Sequence, residues 1–420
     1  MLKNLASSLG INRMVMALSF ARMGDAIGNS ILIIIVPLYV AKLPAPWFPF
    51  PESVRVGVLL ALYGIFAAIL QPVIGLISDR IHRRKILIVI GLIVMAAATL
   101  GYVVVSQFVD LVGLRILQGL GAAMTIPTSL AIISVASQKH TRGGSMGVYS
   151  TMRMVGFALG PLIGGYIYDH YNFNIVFIVG AVFVAIGVVL VQLWVKEMPP
   201  KKEATAEKKT KFRIFDPALL SAGIVGAALA TFVMASDFSM ISTLETQFNS
   251  ILNQGAFGFG LAFSALIISR LIFQVPLGRL SDHWGRKPLI IGGLILIAPA
   301  TALLGYVSTT LQFTSLRVFQ GIASAAIAAP AFALASDVAH AGGEGRQLSI
   351  VTMGFALGVA VGPLLTGALA VSSFTLPFLL AAGVSLGVAI VVFQFVPETV
   401  ERGGTKKKKL ETQSHPVEGD

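Results

Sequence analysis

The sequence predicts an all-α membrane protein in which twelve transmembrane helices form two pseudo-symmetric six-helix bundles. The first observation is composition: of 420 residues, 55% are hydrophobic and 12% are charged, whereas a soluble protein carries about 25% charged residues. The mean hydropathy is +0.84. The second is a series of apolar runs, each long enough to supply the roughly 20 residues that span a bilayer. The third is a basic turn that occurs twice, 203 residues apart, and so indicates two similar halves.

Twelve apolar runs define the predicted helices, six in each half. They fall at 14–41, 54–78, 86–107, 109–136, 145–168, 175–195, 218–244, 257–281, 289–309, 311–336, 347–371 and 374–396. The turn at 106–110 is so short that the helices on either side must pack antiparallel. The predicted units are therefore a bundle at 1–195, a cytosolic linker at 196–216, a second bundle at 217–397 and a cytosolic tail at 398–420.

Lysine and arginine set the predicted orientation. With a cytosolic N-terminus, roughly 24 of the 31 Lys and Arg fall on the cytosolic side and only Lys42 and Arg55 fall outside, which is the bias that short membrane-protein loops show. Both termini are thus predicted to be cytosolic, in a multi-pass protein of the plasma (inner, cytoplasmic) membrane whose partner is the lipid bilayer. The net charge of +12 lies in these loops rather than in a basic domain, so no nucleic-acid partner is expected.

The basic turn follows the second helix of each half, beginning at Gly75 and at Gly278. Cations stay in water at a membrane surface, where an aspartate can pair with them. We therefore expect cytosolic gates in which the aspartate of each turn pairs with the arginine four residues on, and in which the pairs break and re-form as the halves rock. The predicted gate residues are Gly75, Asp79, Arg80, Arg83, Arg84, Gly278, Asp282, Arg286, Lys287 and Asp337.

The repeat continues beyond the basic turns. Residues 115–119 (Arg-Ile-Leu-Gln-Gly) match 317–321 (Arg-Val-Phe-Gln-Gly), and 160–165 match 362–367, in both cases 202 residues on. Parallel halves of this kind place the substrate path at their interface, near the bilayer midplane.

On these motifs the chain resembles the major facilitator superfamily of twelve-helix secondary transporters over essentially its whole length. The turn at 75–85 is similar to the family's loop signature Gly-x-x-x-Asp-Arg-x-Gly-Arg-Arg-Lys, with His82 in place of the usual glycine. The stretch 115–119 resembles the fourth-helix signature. The stretch 156–165 resembles the fifth-helix signature of proton-coupled drug exporters.

Ionisable side chains inside the apolar runs are functional candidates because a charge in the bilayer is costly. Asp25 lies near the middle of the first run with Arg22 and Asn29 on the same helical face, and Asp237 and Glu245 share a face of the seventh run. The resemblance implies that helices one and seven face the central path, where a carboxyl group could carry a proton. A purely structural Arg22–Asp25 ion pair remains the alternative.

Arginines in the apolar runs form the second set of candidates. The resemblance favours a coupling role for Arg115 over that of an arginine that snorkels to the headgroups. Its counterpart Arg317 is a candidate for the same role, with the structural alternative left open. Arg153 and Arg270 fit a structural pairing or the binding of an anionic substrate equally well. The predicted proton-coupling or substrate-path residues are Asp25, Arg22, Asn29, Arg115, Gln118, Asp237, Glu245, Arg317 and Gln320.

The fifth run carries a stripe of glycines at Gly156, Gly160 and Gly164. Small residues on one face let a neighbouring helix approach closely, and Pro161 allows a bend. Together with Gly165, these residues predict a helix-packing seal between the halves, with ordinary tight packing as the alternative.

The combined prediction is a monomeric, proton-coupled exporter of small amphipathic or drug-like molecules that works by alternating access, with Phe20, Phe232 and Phe238 as candidate aromatic linings. The six histidines lack ligand spacing, and no phosphate-binding loop or nucleophile–base pair is evident. We therefore expect no metal, no cofactor and no enzymatic activity, and a proton gradient as the energy source. A proton symporter that imports a sugar, organic acid or other small metabolite is the alternative, and a non-transporting receptor is a further one.

Overall fold

Long helices make up most of the computed structural model, which describes residues 11–80, 83–138, 141–197, 220–338 and 344–400, without the side chains of 76, 79, 80 and 344–346. The helices are α1 Arg13–Val40, α2 Glu52–Arg80, α3 Arg84–Gly101, α4 Phe108–Ala136, α5 Arg142–His170, α6 Phe173–Trp194, α7 Ala222–Ile251, α8 Ala256–Trp284, α9 Arg286–Leu304, α10 Thr310–Asp337, α11 Glu344–Leu369 and α12 Leu376–Phe395. The predicted helical membrane fold is thus confirmed.

The ends of the helices follow from local sequence. The Asn12 side chain accepts hydrogen bonds from the first backbone N–H groups of α1, and Asp110 accepts from the N–H groups of Ser106 and Gln107 at the start of α4. Such caps satisfy donors that have no partner within the helix. Gly285, between α8 and α9, has φ of 110°, a conformation that favours glycine.

Three predicted helix ends differ from the structure by more than four residues. The run 86–107 ends as an α-helix at Gly101, before a 3₁₀ turn at Tyr102–Val104. The run 289–309 ends at Leu304, capped by Gly305. In α7 a 3₁₀ turn at Ile241–Leu244 continues into the short helix Glu245–Ile251, because this polar stretch is buried by tertiary contacts.

Within the described residues, eleven helices are long and apolar enough to cross a membrane. The twelfth, α5, is rich in glycine and carries Arg153 near its middle. It packs along both α1 and α8, so it runs through the bundle with them.

The two halves repeat the same packing. In the first half α1 packs on α5 and α6, α4 packs on α2 and α3, and α3 packs on α6. In the second half α7 packs on α11 and α12, α10 packs on α8 and α9, and α9 packs on α12. Two helix pairs make most of the contacts between the halves, α2 with α11 and α5 with α8. The predicted linker from residue 198 and the tail from residue 401 lie outside the described residues.

The halves are joined mainly at one end. We call the end at which α2 and α8 finish the basic-turn face, and the opposite end the far face. One apolar cluster at the far face contains residues of both halves, such as Ile35, Phe108, Phe248 and Phe313. Toward the basic-turn face there are instead two clusters, one confined to each half.

Candidate functional site

A central cavity of about 230 Å³ lies between the two halves. Most of its surface is apolar, with aromatic side chains from both halves. Polar and charged residues come chiefly from the first half: Arg22, Asp25, Asn29, Gln71, Arg115 and Arg153. The cavity therefore combines an apolar body with a small number of placed polar groups, as ligand sites do.

Asp25 and Arg22 meet at this cavity as predicted. Arg22 donates from its guanidinium to Asp25 Oδ2 in a salt bridge, and both residues are buried. Asp25 Oδ1 accepts no hydrogen bond from the described residues. Asn29 lies on the same wall. One carboxylate oxygen is thus held by Arg22, and the other is buried without a donor from the described residues.

Arg115 lies at the cavity and joins a buried network within the first half. It donates to Gln118 Oε1 at 3.3 Å and to the Leu32 carbonyl oxygen at 3.4 Å. Gln118 in turn donates to Thr99 Oγ1 at 3.0 Å and lies behind the lining. The Arg115 guanidinium is thus held at the cavity by neutral oxygen acceptors.

The second half contains the matching network. Arg317 donates to Gln320 Oε1 at 2.7 Å, and Gln320 donates to Thr301 Oγ1 at 2.8 Å. The guanidinium of Arg317 stacks 5.5 Å from the ring centre of Phe263, which lines the cavity. Arg317 and Gln320 are therefore one layer behind the cavity wall.

Asp237 does not line the cavity, contrary to the expectation for helix seven. It is buried inside the second half, where it faces the hydroxyl groups of Thr301 and Ser385 and interacts electrostatically with Arg317. The structure thus separates Asp237 from Asp25, and only Asp25 is at the shared cavity.

Asp237 lies away from the cavity because the register of the repeat changes between α1 and α7, the first helices of the two halves. The contacts of α1 with α5 are made by Met23, Ala26 and Ser30. The equivalent contacts of α7 with α11 are made by Phe232, Ala235 and Ser239. Equivalent positions of α1 and α7 are therefore 209 residues apart rather than 202. Asp237 then corresponds to Gly28, which faces α6. The cavity-facing equivalent of Asn29 is Phe238, and both line the cavity.

Glu245 also lies away from the cavity. It is fully buried at the far-face end of α7, beside Asn249. Of the candidate aromatic linings, Phe238 lies at the cavity, whereas Phe20 and Phe232 are not part of the lining.

The glycine stripe of α5 packs within the first half rather than between the halves. Gly156 faces Ala26 and Met23, and Gly160 and Gly164 face residues around Ile31, all on α1. The predicted inter-half seal is therefore corrected for these three glycines: their shared face points to α1, since residues four apart lie on one side of a helix.

Contacts between the halves come from neighbouring positions of α5. Gly165 faces Ala256 and Phe257 of α8, and the Pro161 carbonyl group faces Gly260. Hydrogen bonds between α5 and α8 reinforce this contact. Ser264 Oγ donates to the Ala158 carbonyl oxygen at 2.6 Å, and the backbone N–H groups of Ala256 and Phe257 donate to the Asp169 carboxylate at 3.0 and 2.9 Å. Ser53 Oγ donates to the Gly367 oxygen at 2.9 Å between α2 and α11. All of these contacts lie toward the far face.

The second basic turn contains the predicted ion pairs. Arg286 forms salt bridges with Asp282 and, at 3.3 Å, with Asp337, and donates to Ser281 Oγ at 2.7 Å. These groups join the ends of α8, α9 and α10 within one half, so the observed pairs do not cross between the halves. Gly278 lies on α8 near this end, and Lys287 Nζ lies 5.4 Å from the Phe393 ring centre.

The first basic turn is described only in part. The side chains of Asp79 and Arg80 lie outside the description, so the predicted pair of Asp79 with Arg83 stays a prediction. Arg83 caps α3, Arg84 Nε donates to the Ser78 carbonyl oxygen at 3.3 Å, and Gly75 lies on α2 with open space around it.

Several residues of the site were not predicted from sequence. Thr99 and Thr301 complete the two buried networks and are 202 residues apart, so the repeat could have identified them. Glu197 and Glu398 accept from the backbone N–H groups that begin α3 and α9. Tyr63, Phe157, Phe263 and Phe355 line the cavity, and nothing in their local sequence indicates this.

Two six-helix halves around a central, mostly apolar cavity form the architecture of a secondary transporter. The chain belongs to the Major Facilitator Superfamily, whose family model matches residues 18–249 and 227–418. It is a multi-pass membrane transporter and not an enzyme.

Two curated relatives of the chain carry names that refer to multidrug resistance. It is 27% identical to the multi-drug resistance efflux pump PmrA homolog of Lactococcus lactis, over 75% of this chain and 78% of that protein. It is also 27% identical to the multidrug resistance protein MdtG of Salmonella paratyphi A, over 86% of this chain and 90% of that protein.

Solved structures share the fold at low sequence identity. The nucleoside transporter NupG (D323A mutant) superimposes with a TM-score of 0.75 at 14% identity. The superposition covers 92% of this chain and 100% of the NupG chain. A bacterial homolog of the human lysosomal transporter Spinster superimposes with a TM-score of 0.70 at 14% identity, covering 90% of this chain and 94% of that one.

Proposed function

We propose that the protein is a proton-coupled antiporter that exports small amphipathic molecules by alternating access, as a monomer in the plasma membrane with both termini cytosolic. The observation that carries this proposal is the Arg22–Asp25 pair at an otherwise largely apolar cavity between the halves. The similarity to PmrA and MdtG, both named as multidrug proteins, supports export.

The packing supports access to the cavity from one side. The halves share an apolar cluster at the far face, and toward the basic-turn face each half has a cluster of its own. With the basic turns in the cytosol, as the positive-inside rule predicts, this state would admit a substrate from the cytosol. Rocking of the halves would then close the basic-turn face and open the far face.

Asp25 is the proton carrier in this proposal. Protonation would remove its negative charge and release Arg22, whereas deprotonation restores the salt bridge. An unpaired charge is costly within the bilayer. Proton binding at Asp25 and substrate binding in the cavity therefore both change the energy of the same small group of charged residues. Export is driven when a proton enters from outside as the substrate leaves.

Gradient-driven flux in proteoliposomes tests the proposal. The purified protein is reconstituted, a pH gradient is imposed, and the movement of lipophilic dyes of either charge is followed. Dye movement opposite to proton movement supports antiport. Movement in the same direction identifies the symporter alternative, and no movement with any dye contradicts transport of this substrate class.

Asp25→Asn tests the carrier assignment. The amide has the size of a protonated carboxyl group but cannot bind or release a proton, so gradient-driven flux should fall to background while counterflow without a gradient persists. Glu52→Gln, in the first turn of α2 and away from the cavity, is the matched control and should retain coupling. Full coupling in Asp25→Asn would remove Asp25 from the mechanism.

A further inference from the structure

Two arginines, one on α5 and one on α8, lie on one side of the cavity, and of the two only the arginine of α5 belongs to its lining. Arg153 of α5 belongs to the lining. Arg270 of α8 lies two helical turns beyond Phe263, a lining residue, on the same helical face. Arg270 is close enough to Arg153 for the two guanidinium groups to repel each other. Two cations from opposite halves therefore converge at the seam between α5 and α8.

Neither arginine has a carboxylate partner in the part of the chain that the structure describes. The salt bridges of Arg22 and Arg286 do not involve these two arginines, and the Nε atoms of Arg153 and Arg270 are buried without an acceptor among the described residues. The Arg153 guanidinium lies 5.3 Å from the Phe157 ring centre. Asp25 attracts Arg153 electrostatically, but its Oδ2 is already held by Arg22.

The opposite side of the cavity is apolar at the equivalent positions of the repeat. Phe355 of α11 follows Arg153 by 202 residues, and Ala67 of α2 precedes Arg270 by 203. Both Phe355 and Ala67 line the cavity, together with Leu60 from α2. The repeat has therefore diverged to give arginines on the side of α5 and α8, whereas the lining from α2 and α11 carries no charge and is mostly apolar apart from residues such as Gln71 and Thr352.

We infer that the substrates are amphipathic organic anions whose carboxylate, sulfonate or phosphate group binds between Arg153 and Arg270 while their apolar part packs against α2 and α11. The inference rests on the proposed transport function and specifies its substrate class. Guanidinium groups bind such oxyanions through paired hydrogen bonds. An anion from the substrate would compensate two charges that are expensive to leave unpaired at membrane depth.

Binding of a matched dye series tests the inference on the purified full-length protein. Dansylglycine is anionic, dansylamide is neutral and dansylcadaverine is cationic, and all three share one fluorophore. Fluorescence anisotropy should show dansylglycine binding at least about tenfold more tightly than dansylcadaverine, the size of effect expected of one or more charge-assisted hydrogen bonds. Equal or tighter binding of the cation would overturn the inference.

Substitution of the two arginines locates the anion. Arg153→Gln and Arg270→Gln should each weaken dansylglycine binding about tenfold and leave dansylamide binding nearly unchanged. Arg153→Lys keeps the positive charge and should retain part of the preference for dansylglycine. This variant also tests the site if Arg153→Gln does not fold. Arg55→Gln is the control, because Arg55 lies over Phe108 near the far face, outside the cavity. Wild-type dansylglycine binding in both Gln variants would overturn the assignment.

Flux separates this inference from the proposed function. Gradient-driven export of dansylcadaverine but not of dansylglycine would leave the antiporter intact and reject the anion site. Selective binding of dansylglycine without any flux would retain the anion site and reject the antiporter.

Discussion

The two buried aspartates of this transporter, Asp25 and Asp237, lie in separate places, each with an arginine nearby. Arg22 and Asp25 lie at the cavity between the halves, whereas Asp237 and Arg317 lie inside the second half with Thr301 and Gln320. The residues of the second group do not line the central cavity. We expect it to stabilise the bundle of α7, α9, α10 and α12 rather than contact the substrate.

Arg317→Gln tests this structural role. Removing one member of a buried, interacting pair of charges leaves the other uncompensated and typically costs about 3–5 kcal/mol. We expect a clear loss of thermal stability in detergent, which the double variant Asp237→Asn with Arg317→Gln recovers in large part. Dye binding per folded molecule should be unchanged. Unchanged stability with lost binding would place this pair in the substrate path instead.

At the scale of the helix, α5 shows how one element serves two interfaces. Gly156, Gly160 and Gly164 bring it against α1 in its own half, while Gly165 and Pro161 bring it against α8 in the other. The contact with α8 must open if the far face opens. It is therefore the α8-facing side, not the glycine stripe, that should govern the conformational equilibrium.

Gly165→Val should shift that equilibrium. A Cβ atom at Gly165 would lie 2.6 Å from the Ala256 carbonyl oxygen and 2.7 Å from Phe257 Cα, and overpacking of this kind costs about 1–3 kcal/mol. The cost falls on the state in which the far face is closed, so the open state should gain population. Spin labels at Ser106→Cys and Ser308→Cys, in far-face turns of the two halves, would report a longer distance by pulsed electron spin resonance.

Gly113→Val is the matched control for this experiment. Gly113 has no atom of another residue within 4 Å of an added Cβ, so the same substitution there should leave the distance distribution unchanged. An unchanged distribution in Gly165→Val would show that α5 and α8 do not limit opening.

At the scale of the whole molecule, transport requires the halves to move relative to each other at α2 and α11. A Cβ atom at Gly64 would lie 3.8 Å from Ala360 Cβ, which matches the Cβ–Cβ distance of a disulfide, about 3.8 Å. The sequence contains 0 cysteines, so an introduced pair is unique.

A disulfide between Gly64→Cys and Ala360→Cys should therefore form under oxidising conditions and abolish flux, with recovery after reduction. The control pair is Gly305→Cys with Thr375→Cys, where the corresponding separation is 3.3 Å within the second half. That disulfide should leave flux intact. Full transport by the oxidised Gly64–Ala360 pair would contradict a rocking motion at this contact.

Much of the architecture could be predicted from the sequence because its signals are local. Apolar length defined the helices, and most of their ends fall within a few residues of the predicted runs, such as 109–136 against Phe108–Ala136. Spacing of 202 residues identified both Arg–Gln pairs, which form the same hydrogen bonds in each half. The partners of Arg286 could likewise be predicted because they sit at adjoining helix ends.

Which side chains of a helix face the cavity, however, depends on how that helix is rotated against its neighbours. The family resemblance predicted that the carboxyl groups of helices one and seven face the central path, yet a register change to 209 residues between α1 and α7 turns Asp237 toward α12. The stripe at Gly156, Gly160 and Gly164 predicted close packing but could not specify the partner. The sequence by itself thus determined the membrane helices, their duplication and their charges. Only the tertiary structure decided which charges share a cavity, because a residue's neighbours depend on packing between helices distant in sequence.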